Sequence, residues 1–193
     1  SIKGLAGSGS SDPTIFWSKG GKQVMPLLVE DIETERLFLT ALSSDHSQSM
    51  FGLWSHPEVC RFSGTVTDYD RNEIPMPAAS RTDSDKIIDF WQRAAADGWG
   101  FRWAILDRSN GHMVGHIGFN SLGPVCELAY HLHPDHWGKG IMSEAATAAI
   151  DWALKSTPDT TLEAFIEPEN KGSIRLALHL NFEPTRHFSD GAE

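Results

Sequence analysis

The chain has 193 residues, 40% hydrophobic and 22% charged, the composition of one folded domain with a substantial core. Its formal net charge of −10 opposes phosphate backbones and anionic headgroups, which disfavours nucleic acid and membrane surfaces as partners and leans towards cationic ones. No apolar run reaches the ~18 residues of a membrane span, no leader pattern opens the chain, and Cys60 and Cys126 fit no metal or redox spacing, so a reduced, cytoplasmic setting is expected.

Ser1 to Asp12 is rich in Gly and Ser, so residues 1–30 read as a flexible N-terminal extension or tag remnant and 31–193 as a single domain. Leu37 to Leu42 predicts a first strand. Ser44 or Asp45 can cap a helix carrying Met50, Phe51, Leu53 and Trp54, and Pro57 opens a short helical turn through Val59 to Phe62. From Ser63 to Ser80 glycine, proline and acidic residues break every pattern, which predicts a long loop. Its Asp68, Asp70 and Glu73 would favour a cationic ligand. Thr82 or Asp83 then caps a helix ending at Gly98.

Phe101–Leu106 and Val114–Leu122 flank a turn whose Asn110-Gly111 pair supplies the positive φ angles of a hairpin. Cys126–Leu132 adds a third strand, giving an antiparallel meander. Ile141 to Lys155 is an amphipathic helix with Met142, Ala145, Ala149, Ile150 and Ala153 on its apolar side. Leu162–Ile166 reads as a buried strand, Asn170–Leu180 as a last helix, and Phe182 as the start of a short terminal strand. Trp91, Trp99, Phe101 and Trp103 read as core. This order gives an α+β class, a three-layer sandwich on a mixed, mostly antiparallel sheet with helices on both faces.

The segment Trp137-Gly138-Lys139-Gly140-Ile141-Met142 joins a strand to a helix. Glycines let backbone approach a ligand, and a helix start offers free N–H groups with the positive end of its dipole, so the segment can hold an anion such as a pyrophosphate. It is neither G-x-x-x-x-G-K-[ST] nor G-x-G-x-x-G, which disfavours a triphosphatase or a Rossmann site. Two histidines at i and i+2, His131 and His133, with His136 and His116 nearby in the reading, are the rival chemistry of a metal site.

Three stretches resemble the GNAT superfamily of N-acetyltransferases, in the branch of ribosomal-protein alanine and serine N-acetyltransferases. Glu127 to Pro134 resembles the strand before the cofactor loop, Trp137 to Ala145 the acetyl-CoA pyrophosphate motif, and Asn170 to Leu176 with Asn181-Phe182 the later helix motif. The opening Ile32 to Leu39 resembles that branch's first strand. Trp137 stands at the usual Gln/Arg position and Met142 at the usual small-residue position; His179 and Asn181 depart from the usual Lys and Gly.

The resemblance implies a GNAT-like acyl-CoA N-acyltransferase fold, acetyl-CoA as cosubstrate without a metal, and an amine acceptor, peptide or small molecule. It places cofactor contacts at Leu132, His133, Trp137, Gly138, Lys139, Gly140, Ile141, Met142, Asn170, Ser173 and Arg175. Presenting a neutral amine of pKa ~10.4 at neutral pH costs about 4 to 5 kcal/mol, so a base is useful. Glu127 is the first candidate and His131 the second, with Ser143 near the sulfur and a backbone N–H near Leu132 for the thioester oxygen. The position of the family's acidic Tyr falls near Ala177, leaving that role vacant. A monomer or homodimer is expected, and the competing readings are a catalytically inactive acyl-CoA-binding domain or a histidine metal protein.

Overall fold

Phe101, Trp103 and Ile105 face one side of a strand while Arg102 and Ala104 face the other, and this two-residue period divides the molecule into two cores on either side of one sheet. The computed structural model describes residues 25–185; the extension expected over 1–24 lies outside them. The six strands are β1 (Ile32–Glu33), β2 (Leu37–Ala41), β3 (Phe101–Asp107), β4 (Met113–Ser121), β5 (Val125–Leu132) and β6 (Thr161–Glu163), adjacent in chain order. Every neighbouring pair is antiparallel except β5–β6, which is parallel. Helices α1 (Ser47–Trp54), α2 (Pro57–Cys60) and α3 (Arg81–Ala96) cover one face, and α4 (Ile141–Ser156) and α5 (Lys171–His179) the other. The sandwich of mixed sheet and helices on both faces is thus the one its pattern predicts.

Small residues let α4 lie close to the sheet: Ala145, Ala146, Ala149 and Ala153 are fully buried. Bulk comes instead from an aromatic cluster, in which Trp152 of α4 meets Phe101 at 5.0 Å and Trp103 at 5.3 Å, ring centre to ring centre, both edge-on. On the opposite face Met50, Leu53 and Trp54 of α1 pack with Ile87 and Ile88 of α3 over Ala104.

Several element ends differ from expectation for local reasons. Within residues 25–30, Leu27 N–H donates to the Ala95 carbonyl and Trp103 Nε1 to the Glu30 carbonyl. Helix α3 is capped by Ser80, not Thr82 or Asp83, since Ser80 Oγ accepts from Asp83 N–H while the Asp83 carboxylate accepts from Ser80 N–H. Ahead of α1, Ser44–His46 form a short 3-10 turn headed by Ser43. The buried strand expected over Leu162–Ile166 shrinks to Thr161–Glu163, whose side chains are at most half-buried, because its pairing with β5 ends at Glu127. No terminal strand forms over residues 182–185; Asn181, at φ 64°, ends α5 with Phe182 N–H donating back to the Ala177 carbonyl, a left-handed cap that Asn tolerates.

Gly118 faces Arg102 across β3 and β4, and a Cβ there would run into the Phe101 carbonyl oxygen. Gly118→Ala should therefore destabilise the fold by about 1–3 kcal/mol, read as a lower urea midpoint with unchanged slope.

Candidate active site

Three residue pairs, Val125–Thr161, Cys126–Leu162 and Glu127–Glu163, hold β5 to β6; β5 then continues to Leu132 without its neighbour. His133 N–H donates to the Val114 carbonyl at 2.8 Å, so antiparallel alternation turns the backbone of His131 towards β4 and that of Tyr130 and Leu132 to the open side. Trp137 Nε1 takes up the Leu132 carbonyl at 2.8 Å, and the Leu132 N–H points into the gap. The gap belongs to an open cavity of about 1960 Å³ that runs from Trp54 and Trp91 on the α1/α3 face, past Leu128–Leu132, to α5.

The loop at the end of β5 has the conformation its glycines allow. Gly138 and Gly140 sit at φ 71° and 74°, left-handed values that L side chains resist. Gly140 is the N-cap of α4 and has no side chain to cap it, whereas Ser80 and Asn170 cap their own helices. The first-turn N–H groups of α4 therefore have no side-chain cap, and the positive end of a sixteen-residue helix lies behind them. Lys139 Nζ donates back to the Asp135 carbonyl at 2.7 Å.

Arg36 holds this loop in place. Its Nη1 donates to the Lys139 carbonyl at 2.9 Å and its Nε to Glu144 Oε2 at 2.6 Å, while its backbone N–H and the Thr34 hydroxyl both reach Glu144 Oε1. Partial burial pushes the Glu144 carboxyl up, but the Thr34 hydroxyl and the Arg36 N–H and guanidinium outweigh it and hold the group below its ordinary range. Nothing local in the sequence around Glu144 marks a partner 108 residues away.

The other predicted cofactor residues spread around this loop. Ile141 and Met142 are buried in the core beneath it, which accounts for a large side chain at 142; Trp137, half exposed, and half-buried Ser143 line the cavity. His133 packs against His56 at 5.0 Å, and its ring accepts from Asp135 N–H. Asn170 Oδ1 caps α5 through Ser173 N–H at 3.1 Å, and Asn170, Ser173 and exposed Arg175 form the far wall. Tyr130, which sequence reasoning passed over, lines the same gap; burial raises its phenol's pKa against the counteracting hydrogen bond to Ser173.

Across the sheet a second set of groups lines the cavity. A bulge makes Asn120 the extra residue of β4, and its amide bridges two charges: Nδ2 donates to Glu127 Oε1 at 2.6 Å, and Oδ1 accepts from Arg102 Nη2 at 2.5 Å. Arg102 is buried, with its guanidinium 3.5 Å from the Trp91 ring centre; burial lowers its pKa to about 9 against the opposing pull of Glu127. His131 shares the face of Glu127, but at four positions along the strand it lies about 13 Å away, too far for a joint acid–base pair. His131 instead packs on His116 at 5.0 Å and Trp54 at 4.5 Å. Burial drives its pKa to about 3, with the Arg102 charge adding to the effect, and burial likewise holds His116 well below the usual histidine value.

Phe101 and Trp103 are core; Trp91 packs against the α1/α3 core and, with partly exposed Trp99, also lines the cavity. Asp68, Asp70 and Glu73 do not line it: Asp68 accepts from Asn72, and Asp70 pairs with Arg93 at 3.7 Å. Among the described residues no group of three or more His, Cys, Asp or Glu side chains is arranged to hold a metal; buried His116 packs with half-buried His131, and His133 with His56 and His136. Also among these residues, no helix is long and apolar enough to cross a membrane.

Residues 36–183 match the family model described as an acetyltransferase (GNAT) domain. The chain is 30% identical over 158 residues to the uncharacterized N-acetyltransferase p20 of Bacillus licheniformis, covering 80% of this chain and 83% of that one. Among solved structures it resembles RimL, a ribosomal L7/L12 alpha-N-protein acetyltransferase in complex with coenzyme A, with a TM-score of 0.64 at 18% identity over 78% and 82% of the two chains. It also resembles a putative ribosomal-protein-serine acetyltransferase from Vibrio cholerae, with a TM-score of 0.61 at 21% identity over 78% and 81%.

The depressed histidines give the site a pH signature. An unfolded histidine takes up a proton near 6.5, whereas native His131 resists until about 3. Stability is therefore fully present above 6.5 and falls as pH drops below it. His131→Leu should lose less stability than the parent between about pH 7.5 and about pH 5, in urea melts at both values.

Proposed function

The chain belongs to the acetyltransferase (GNAT) domain family and is an acyltransferase, and from that premise we propose that it moves an acetyl group from acetyl-CoA to a primary amine by direct attack. The observation that carries this reading is the continuity of an open strand edge, Leu128–Leu132, with an uncapped helix start at Gly140. A long donor with a pyrophosphate at one end and a thioester at the other fits that path. The first-turn N–H groups of α4 and the glycine loop suit the pyrophosphate, Lys139 adds a positive charge nearby, and Asn170, Ser173 and Arg175 wall the gap beyond.

Acetyl-CoA supplies the activated acyl carbon; this chain's residues position the reactants and handle charge. The Leu132 N–H, free on the open edge, is the donor for the thioester oxygen. Glu127, held by Asn120 and facing the cavity, is the base; it lies five strand residues from Leu132, so the amine proton reaches it through intervening water. His131 is the weaker choice, because an imidazole of pKa about 3 has little drive to accept a proton from an ammonium. Ser143 lines the cavity at the loop. The acceptor is a peptide or protein N-terminus or a small amine; RimL, named as an alpha-N-protein acetyltransferase, supports the former. The free thiols Cys60 and Cys126 fit action in the cytoplasm, as a monomer or homodimer.

A thiol-release screen over amines, run beside a thermal shift with acetyl-CoA, tests the reading. The expected result is stabilisation by acetyl-CoA together with amine-dependent release; binding with no turnover on any amine would mark an inactive acyl-CoA-binding domain. Glu127→Gln should lower turnover at neutral pH more than it raises the acetyl-CoA KM, and undiminished activity across about pH 6 to 9 would remove Glu127 as base. Arg36→Ala, which frees the loop, should instead raise the acetyl-CoA KM by about 3- to 30-fold with a smaller change in kcat, since a charge-assisted hydrogen bond contributes about 1–2 kcal/mol.

A further inference from the structure

The open cavity measures about 1960 Å³, well beyond the ~300–1000 Å³ of a site for one small molecule, so its two ends have room for separate ligands. The end beside the glycine loop and α5 suits the donor. The other end, on the α1/α3 face, is lined by Phe62, Phe90, Trp91 and Trp99. The ring centres lie 4.8 Å apart for Phe90 and Trp91, 5.8 Å for Phe90 and Trp99, and 6.1 Å for Trp91 and Trp99, edge-on or tilted in each case. This cluster is only partly covered: Trp99 is 37% exposed, and Phe90 and Trp91 are half-buried. Grouped apolar surface left open in a cavity is surface that a ligand can bury.

The place of these rings on the sheet is fixed by their contacts. A Cβ on Gly100 would come 3.3 Å from Trp91 Cζ3 and 3.4 Å from the Asn120 carbonyl oxygen, so a glycine there lets the Trp91 ring lie close to the strands. Arg102, whose guanidinium lies 3.5 Å from the Trp91 ring centre, pairs with Gly118, and Gly118 with Ala129. The cluster is therefore level with Ala129, three residues or about 10 Å along β5 from the Leu132 N–H assigned to the thioester oxygen. An acceptor whose nitrogen attacks there reaches the rings only with a long arm.

The chemistry at the end of that arm follows from what the rings already hold. Arg102 sits over Trp91, and Arg93 lies 4.2 Å from the centre of Tyr69, which meets Phe90 edge-on at 5.5 Å. The electron-rich faces that would draw a second cation are thus already taken by guanidinium groups. Trp99 Nε1 donates to the Tyr69 hydroxyl at 3.4 Å, so the indole presents apolar surface. A further uncharged ring extends the edge-to-face packing and sheds water as it does so.

We propose that Phe90, Trp91 and Trp99 form a specificity subsite for acceptors that carry an aromatic ring about 10 Å from the reacting nitrogen, in preference to acceptors with a second ammonium there. The proposal rests on the acetyltransferase reading and narrows its acceptor class by the remote group. It also reverses the preference that net charge and the acidic loop suggest.

Amines of one skeleton test it: ω-phenylhexylamine, hexylamine and hexamethylenediamine, with phenethylamine as the short-armed control. Each is compared in the parent, Trp99→Ala and Trp99→Phe, so that amine basicity cancels. Trp99 belongs to neither buried core, so both variants should keep urea midpoints near that of the parent. Trp99→Ala should lower kcat/KM for ω-phenylhexylamine about tenfold relative to hexylamine, and Trp99→Phe, which restores a ring, less than about threefold. An unchanged ratio in Trp99→Ala overturns the proposal, as does a parent protein that prefers the diamine or phenethylamine to ω-phenylhexylamine.

A second measurement is independent of turnover. Magnetisation saturated on the protein should pass to the phenyl protons of ω-phenylhexylamine in the parent with coenzyme A present, and should fall in Trp99→Ala. If no amine is acetylated but the transfer behaves in this way, the acetyltransferase reading fails and the subsite stands. Equal transfer in the two proteins overturns the subsite. So does transfer that coenzyme A abolishes, which would assign the rings to the donor.

Discussion

The site depends on a pairing that stops early. Parallel β5 and β6 share only Val125–Glu127 with Thr161–Glu163, and beyond that point β5 keeps a row of backbone groups that no strand answers. In water such an edge would be solvated, and in a packed core it would be a defect. Here it becomes one wall of a cleft whose far side is α5. The same strand then delivers the chain into the glycine loop, so one departure from regular pairing creates the slot and sets it beside the uncapped start of α4.

The sheet also works as a divider. Odd and even positions of β3, β4 and β5 send Phe101, Phe119 and Leu128 towards α4 and Arg102, Asn120 and Glu127 towards α1 and α3. The loop and α5 occupy one face, and the charge-bridging amide and the histidine pair occupy the other. Among the described residues the gap beside β5 joins the two faces. The Asn120 bulge matters to this arrangement because an unbroken register would not add the extra residue that links Arg102 to Glu127.

Local features were legible from sequence to the extent that their causes are local. The hairpin at Asn110-Gly111, where Gly111 alone of the pair takes a positive φ, and the left-handed glycines at 138 and 140 follow from what one residue's backbone permits. The expectation that the loop binds a cofactor rests on resemblance, since glycines before a helix are common. What escaped were contacts across long separations. Arg36 with Glu144, Arg102 with Asn120, and Trp54 with His131 join elements whose approach is set by packing, and no periodicity encodes them. The acidic loop misled for the complementary reason: Asp68 and Asp70 satisfy partners close at hand, so their charge says little about a ligand.

The open edge of β5 has a consequence for the behaviour of the chain among its own copies. Unpaired strand edges at a surface recruit strands from neighbouring molecules and seed aggregates. This one is turned inward and screened by α5, whose Leu176 and Leu180, with Phe182 beyond, anchor to the α4 core. The last helix therefore guards solubility as well as shaping a cleft, and loosening its anchors would expose an adhesive strip that the rest of the sheet keeps covered.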